Sequence, residues 1–300
     1  MGSTPVRCRG AWFAAETSAA PGLRIRSVTK PFSPGQTVGV FDSGVGGLSV
    51  LKAIRRSRST VDLIYIADSA NAPYGNRSTG FIERRASQIT QTLISAGSQL
   101  IVVACNTATA VAVAQLRAKL TVPVVAMEPA IKPAVACTRT GVIGVLATQR
   151  TLESAAVERL SREFGQGVEL LLQPCPGLVE LVERGEVATS HVRESLRRLI
   201  LPLLARGADT LVLGCTHYVF LEATIRGLVG PEINIVESSE AVARQVVQRL
   251  SCNNTAAVCG DVGRETFLTT GSLQQAQIVF SQFWGKDLEV QAIEDKSVCA

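Results

Sequence analysis

Four apolar runs occur twice in this chain, in the same order and at nearly constant spacing, and that repetition restricts the fold more than any single motif. Val38-Gly-Val-Phe-Asp-Ser43 is echoed 105 positions later by Ile143-Gly-Val-Leu-Ala-Thr148. Val61-Asp-Leu-Ile64 is echoed after 107 by Val168-Glu-Leu-Leu171, and Leu100-Ile-Val-Val-Ala-Cys105 after 110 by Thr210-Leu-Val-Leu-Gly-Cys215. Val124-Val-Ala-Met-Glu128 is echoed after 109 by Asn234-Ile-Val-Glu237. A single match carries little, because apolar strands resemble one another. Four in register mark an internal duplication.

Runs of Leu, Ile and Val without polar alternation fit strands covered on both faces, and each is followed by helical spacing, as in Val111, Ala112, Ala114, Gln115 and Ala118. The fold class is therefore α/β: two similar pseudo-symmetric domains, each a mostly parallel sheet flanked by helices, with a site in the cleft between them. Helices are expected from about Ser78 to Ala96, after the Gly44-Val-Gly-Gly47 turn, and from near Ala130. Residues 37–130 with 238–292 form the first domain and residues 131–237 the second. Thr266–Thr270 and Leu288–Val290 are expected to complete the first sheet. Residues 1–36 are expected to be an unstructured extension.

Charge and cysteine usage narrow the function. The net charge of +5 resides mostly in residues 1–37, where Arg7, Arg9, Arg24, Arg26 and Lys30 face only Glu16. The remainder has little basic excess and few aromatic residues for base stacking, which argues against nucleic acid. No apolar run reaches the roughly 18 residues of a membrane span, so a soluble intracellular protein is expected. Eight dispersed cysteines with no Cys-x-x-Cys pair, and only His191 and His217, argue against both a disulfide framework and a metal site. The glycine turn lacks the lysine of a phosphate loop, so close backbone approach beside Asp42 and Ser43 is the expected reason for it.

Ligands of open parallel sheets bind beyond the carboxyl ends of the strands, which is where Cys105 and Cys215 fall. A cysteine at a strand end is ordinarily a small buried hydrophobe, and that reading serves Cys137, Cys252 and Cys259. Cys105 and Cys215 differ because they occupy equivalent repeat positions and lead into Asn106-Thr107 and Thr216-His217. Facing domains would bring them to one cleft from opposite sides. Two acid/base groups on opposite faces of one carbon suit racemisation or epimerisation, and a thiol with a pKa of about 8.5 can serve as either partner near neutrality. Asp42 and His217 stand near enough in the sequence pattern to accept or relay the proton. Glu128 and Glu237 fit structural strand ends as readily as pocket positions, and His191 fits a solvated helix face.

The segments Phe41-Asp-Ser-Gly-Val-Gly-Gly47, Pro73-Tyr-Gly75, Cys105-Asn-Thr-Ala108, Glu128-Pro129 and Gly214-Cys-Thr-His-Tyr218 resemble those of the glutamate racemases, cofactor-independent members of the aspartate/glutamate racemase superfamily. The resemblance runs from about Val38 to Thr269-Thr-Gly271. It implies that Cys105 and Cys215 are the proton donors and acceptors, assisted by Asp42 and His217. It further implies that Asp42, Ser43, Tyr74, Gly75, Asn106, Thr107, Thr216 and His217 hold glutamate, with Thr148 and Glu183 at further pocket positions. No cofactor and no metal are implied. D-Glutamate for bacterial peptidoglycan, a cytoplasmic location and a homodimer are also implied. His217 after Cys215-Thr216 resembles the glutamate rather than the aspartate branch, and Val219 departs from the proline usual there. Two other classes stay open: an amino-acid sensor on the same cleft, and a redox enzyme joining the two thiols.

Overall fold

A computed structural model describes residues 23–25, 36–252 and 262–295. The strands among them are β1 Leu23–Ile25, β2 Thr37–Asp42, β3 Asp62–Ala67, β4 Leu100–Val103, β5 Val124–Ala126, β6 Val142–Ala147, β7 Glu169–Pro174, β8 Thr210–Leu213, β9 Asn234–Val236, β10 Glu265–Thr269 and β11 Val290–Asp295. The helices are α1 Leu48–Ser57, α2 Thr79–Ser95, α3 Asn106–Lys119, α4 Ile131–Cys137, α5 Gln149–Leu152, α6 Ala155–Phe164, α7 Leu178–Glu183, α8 Ser190–Ala205, α9 Glu222–Val229, α10 Ser239–Cys252 and α11 Leu273–Trp284.

The strands form a seven-stranded sheet, β1-β11-β10-β3-β2-β4-β5, and a four-stranded sheet, β7-β6-β8-β9. Every pair is parallel except β1 with β11. The quartets β3-β2-β4-β5 and β7-β6-β8-β9 have the same order, and their registers agree at the spacings of the sequence repeat. Gly39 lies between Ile64 and Ile101, and Gly144 between Leu171 and Leu211. Both glycines are required by close packing. A Cβ on Gly39 would lie 2.6 Å from Ser98 Oγ and 3.0 Å from Leu93 Cβ, and one on Gly144 2.8 Å from Leu211 and 2.9 Å from Leu203.

Strands β2, β3, β4 and β8 are buried along their whole length, as strands between two helical layers must be. Ser78 caps α2 by accepting from Phe81 N, and Ile82, Ala86, Ile89 and Leu93 form its buried stripe. One apolar cluster joins the two sheets, with Val40, Leu48 and Val102 of the first in continuity with Leu181, Leu213 and Tyr218 of the second. Separate clusters fill the outer faces, Ile66, Ile89 and Ile101 on one and Val145, Leu160 and Val212 on the other.

Three expectations change. The last strand begins at Val290 rather than ending there. Leu23–Ile25, within the segment expected to be unstructured, is an edge strand on β11, with Leu23 opposite Asp295. Cys137 is exposed at the end of α4, whose buried residues are Ala134 and Ile131, one and two turns earlier, so it is no core residue. The expectations for residues 1–22 and 26–35, for Cys259 and for the Cys252 side chain lie outside what is described. His191 is exposed as expected. No helix among the described residues is long and apolar enough to cross a membrane.

Candidate active site

Strands β4 and β8 deliver the two thiols in nearly the same backbone conformation, φ −128° and ψ 118° at Cys105 and φ −142° and ψ 136° at Cys215. Each is followed at once by a helix, α3 after Cys105 and a 3-10 segment Thr216–Leu221 after Cys215. Both are buried free cysteines. They line one narrow cleft between the two halves, a common location for a ligand site. Ser43, Tyr74, Gly75, Asn106 and Thr107 line it from the first half, and Thr148, Thr216 and His217 from the second. Pro73 and Val179 complete the lining.

Cys105 occupies the N-cap of α3, where its sulfur accepts from Ala108 N at 3.5 Å, and its thiol donates to Ser43 Oγ at 3.6 Å. A helix N-terminus favours a thiolate. Burial and the neighbouring Asp42 carboxylate act more strongly and push the Cys105 thiol well up, so it rests protonated near neutrality.

Asp42 ends β2 beside β4 and does not line the cleft. Its carboxylate is fully buried behind it, with Oδ1 accepting from Ser43 N at 2.8 Å and Oδ2 from Gly47 N at 2.7 Å and Thr216 Oγ1 at 3.2 Å. Burial pushes its carboxyl up from the ordinary value, opposed by His217 and by a hydrogen bond from Cys105. The Gly44–Gly47 turn is glycine-rich because polar side chains crowd it. A Cβ on Gly46 would meet His217 Nδ1, Thr216 Oγ1 and Asp42 Oδ2, and one on Gly44 would meet the Glu183 carboxylate.

His217 sits between the two halves. Nδ1 lies 3.9 Å from Cys215 Sγ and 4.0 Å from Asp42 Oδ2, while Nε2 lies 2.6 Å from Glu183 Oε1. Burial alone would lower the imidazole pKa. The hydrogen bonds and charges of Cys215 and Glu183 outweigh it and leave the pKa raised, which makes His217 a cation aimed at Cys215. Glu183, expected at the cleft, stands behind His217 instead, its Oε1 also accepting from Val45 N at 2.7 Å.

The cleft wall is rich in hydroxyl and amide groups. The Asn106 side chain is buried with neither Nδ2 nor Oδ1 paired among the described residues, a costly arrangement unless a ligand completes it. The Thr107 hydroxyl meets those of Thr148 and Thr151 across the two halves at 3.0 and 3.2 Å. Gly75 packs on Thr148, with Cβ room of 3.3 Å. The Tyr74 hydroxyl turns away to donate to Asp68 Oδ2 at 2.6 Å. Glu128 and Glu237 stay structural: the first pairs with Arg159 at 2.8 Å, and the second accepts from Ser239 N at 2.5 Å.

Sequence reading missed Tyr65, Asp68, Arg85 and Thr151. Tyr65 is fully buried and donates to Gly44 O at 2.5 Å, which props the glycine turn. A signal existed for Arg85. It lies beside Ala86, between Ile82 and Ile89 on the buried stripe of α2, and a buried guanidinium demands a buried acid.

The family model described as Asp/Glu/Hydantoin racemase matches residues 38–246. A glutamate racemase of Methylococcus capsulatus is 47% identical over 247 residues, covering 82% of this chain and 91% of its own. One of Pseudomonas aeruginosa is 45% identical over 249 residues, covering 83% and 94%. Among solved structures, a Bacillus anthracis glutamate racemase isoform superposes with a TM-score of 0.78 at 31% identity, over 86% of this chain and 97% of the other. The Escherichia coli glutamate racemase, solved with L-glutamate and an activator, gives 0.76 at 32% identity, over 87% and 100%. With paired thiols on a duplicated α/β fold and likeness of this extent, the chain belongs to the Asp/Glu/Hydantoin racemase family, on its glutamate racemase branch.

Proposed function

We propose that the protein interconverts L- and D-glutamate without a cofactor, Cys105 and Cys215 exchanging the α-proton from opposite faces. The observation that carries this is the pair of free thiols at equivalent strand ends on one cleft, each backed by a different proton-handling group. A thiolate on one side takes the α-hydrogen as a proton, and the electron pair left on carbon spreads into the α-carboxylate. The opposite thiol then gives its proton to the other face, which inverts the centre. The cycle leaves the protonation of the two thiols exchanged. Asp42 behind Cys105 and the His217 imidazolium beside Cys215 assist proton movement on their own sides. Ser43, Asn106, Thr107 and Thr216 supply hydrogen-bonding groups for the amino acid, with Gly75 and Thr148 along the same wall. We read the two lobes as residues 37–130 with 238–292, and residues 131–237. The L-glutamate held by the Escherichia coli relative supports glutamate as substrate. D-Glutamate for peptidoglycan, action in the cytoplasm and a homodimer follow from family likeness, the last being read by sedimentation equilibrium.

The deciding experiment is racemisation in deuterated water, with L-glutamate and L-aspartate in parallel after removal of pyridoxal phosphate and metals. Glutamate should invert and gain deuterium at the α-carbon, which also separates an enzyme from a sensor. Cys105→Ala and Cys215→Ala should each lower turnover by about 10³-fold or more. Near-normal turnover by either variant would overturn the two-thiol mechanism.

A further inference from the structure

We infer that Asp68 and Arg85, which lie outside the cleft lining, are positioning residues that hold the Pro73–Gly75 wall of the site in register with Cys105. Asp68 follows β3 and is fully buried; its backbone N donates to Asp42 O at 3.0 Å, so it starts from the same sheet edge as the catalytic groups. Its carboxylate gathers donors from four directions. Arg85 of α2 forks onto it, Nη2 to Oδ1 at 2.7 Å and Nε to Oδ2 at 3.0 Å. Tyr74 OH reaches Oδ2 at 2.6 Å, Asn71 Nδ2 reaches Oδ1 at 3.0 Å and Thr270 Oγ1 reaches Oδ1 at 2.8 Å. Helix α2, the residue that follows strand β10 and the loop that carries the wall therefore converge on one buried anion.

A buried ion pair is weak as a source of net stability, because desolvation offsets much of its attraction. Its strength is geometric: a forked guanidinium fixes the carboxylate plane, and that plane fixes where the Tyr74 phenol ends. With its hydroxyl bound to Asp68 and its ring edge-on to Phe81, Tyr74 is not free to swing into the cleft. Gly75, next in the chain, faces Thr148 of the other half, where an added Cβ would lie 3.3 Å from Thr148 Cβ. Arg77 closes the loop from below, N to Tyr74 O at 3.0 Å and Nε to Asn71 O at 3.2 Å. A wall displaced by a fraction of an ångström would weaken binding of substrate and transition state together, and that signature is a raised KM.

The inference rests on reading the cleft as the glutamate site, so the test carries a separate arm for that reading. In the full-length protein, Arg85→Lys keeps the charge and loses the fork, while Tyr74→Phe removes the link to the wall and leaves the ion pair intact. Each should raise KM for both glutamate enantiomers by about fivefold or more, several times more than kcat falls. The double variant should be no worse than the poorer single one, since both act through one connection. Asn106→Ala should raise KM independently. A raised KM in Asn106→Ala with unchanged KM in Tyr74→Phe and Arg85→Lys, even where the melting temperature drops, would overturn the positioning role and leave the site standing. An unchanged KM in Asn106→Ala would overturn the binding cleft and this inference with it.

Discussion

A single methyl group at Gly46 would collide with the imidazole of His217, the hydroxyl of Thr216 and, at 2.8 Å, the carboxylate of Asp42. The collision needs no backbone strain, because space alone forbids the side chain. Gly46→Ala should keep its circular dichroism spectrum and lose about two orders of magnitude in kcat/KM; activity within a few-fold of the wild type would show that the turn gives way freely. His217 offers a second test at this scale. Its pKa is raised by Cys215 and Glu183 against the opposing effect of burial. A histidine whose folded pKa lies above its unfolded value adds stability that is complete below about pH 6.5 and is lost as pH rises through the folded pKa. Glu183→Gln removes one of the two supports, so the imidazole should lose its proton at lower pH, and the alkaline limb of activity should move down with it. The only other histidine is the exposed His191, which keeps the imidazole titration by NMR simple to assign. An imidazole titrating at the same pH in Glu183→Gln and wild type would contradict the pairing.

Among the elements, the loop from α4 into β6 depends on one acid. Asp209, 6% exposed just before β8, accepts from Thr138 Oγ1 and Arg139 N at 2.6 Å, from Thr210 Oγ1 at 2.9 Å and from Thr140 N at 3.0 Å. Burial opposes its charge, yet the donors prevail and bring its pKa down to about 2. The stability this provides is present above the unfolded value near 3.8 and is lost as pH falls towards 2. Asp209→Asn should therefore cost about 1–2 kcal/mol at neutral pH, with the two unfolding curves converging in acid; a constant gap down to pH 2 would refute the charge as its cause. Elements were legible in the sequence in proportion to how completely they are buried. Strands β2, β3, β4 and β8 are continuous apolar runs and were found to within a residue or two. Strand β11 was misplaced because it keeps Val290 and Ile293 buried while Gln291 is half-buried and Ala292 exposed, so no apolar run announces it. Cys105 and Cys215 were legible because the repeat marked them twice. Asp68 and Tyr65 were not, since their partners include residues as far along the chain as Thr270 for the one and Gly44 for the other.

At the scale of the whole molecule, the duplication was readable but the way its halves join was not. Their inner faces share one apolar cluster, and Phe220, just beyond Cys215, stacks on Phe283 of α11 at 4.1 Å between ring centroids. Lobes that share this cluster, although each also has an outer one of its own, should unfold together, so calorimetry should give one cooperative transition. Two resolved transitions would mean that each half is stable alone. The two thiols are geometric equivalents with unlike support, a carboxylate behind Cys105 and an imidazolium beside Cys215. Enantiomers have equal free energy in water, so the equilibrium constant of their interconversion is one and the ratio of kcat/KM in the two directions is fixed at one. The unlike supports therefore cannot make the catalyst prefer a direction. Their asymmetry can be expressed only in how each direction divides between kcat and KM, and a substitution at Asp42 or His217 must change the specificity constants for L- and D-glutamate by the same factor.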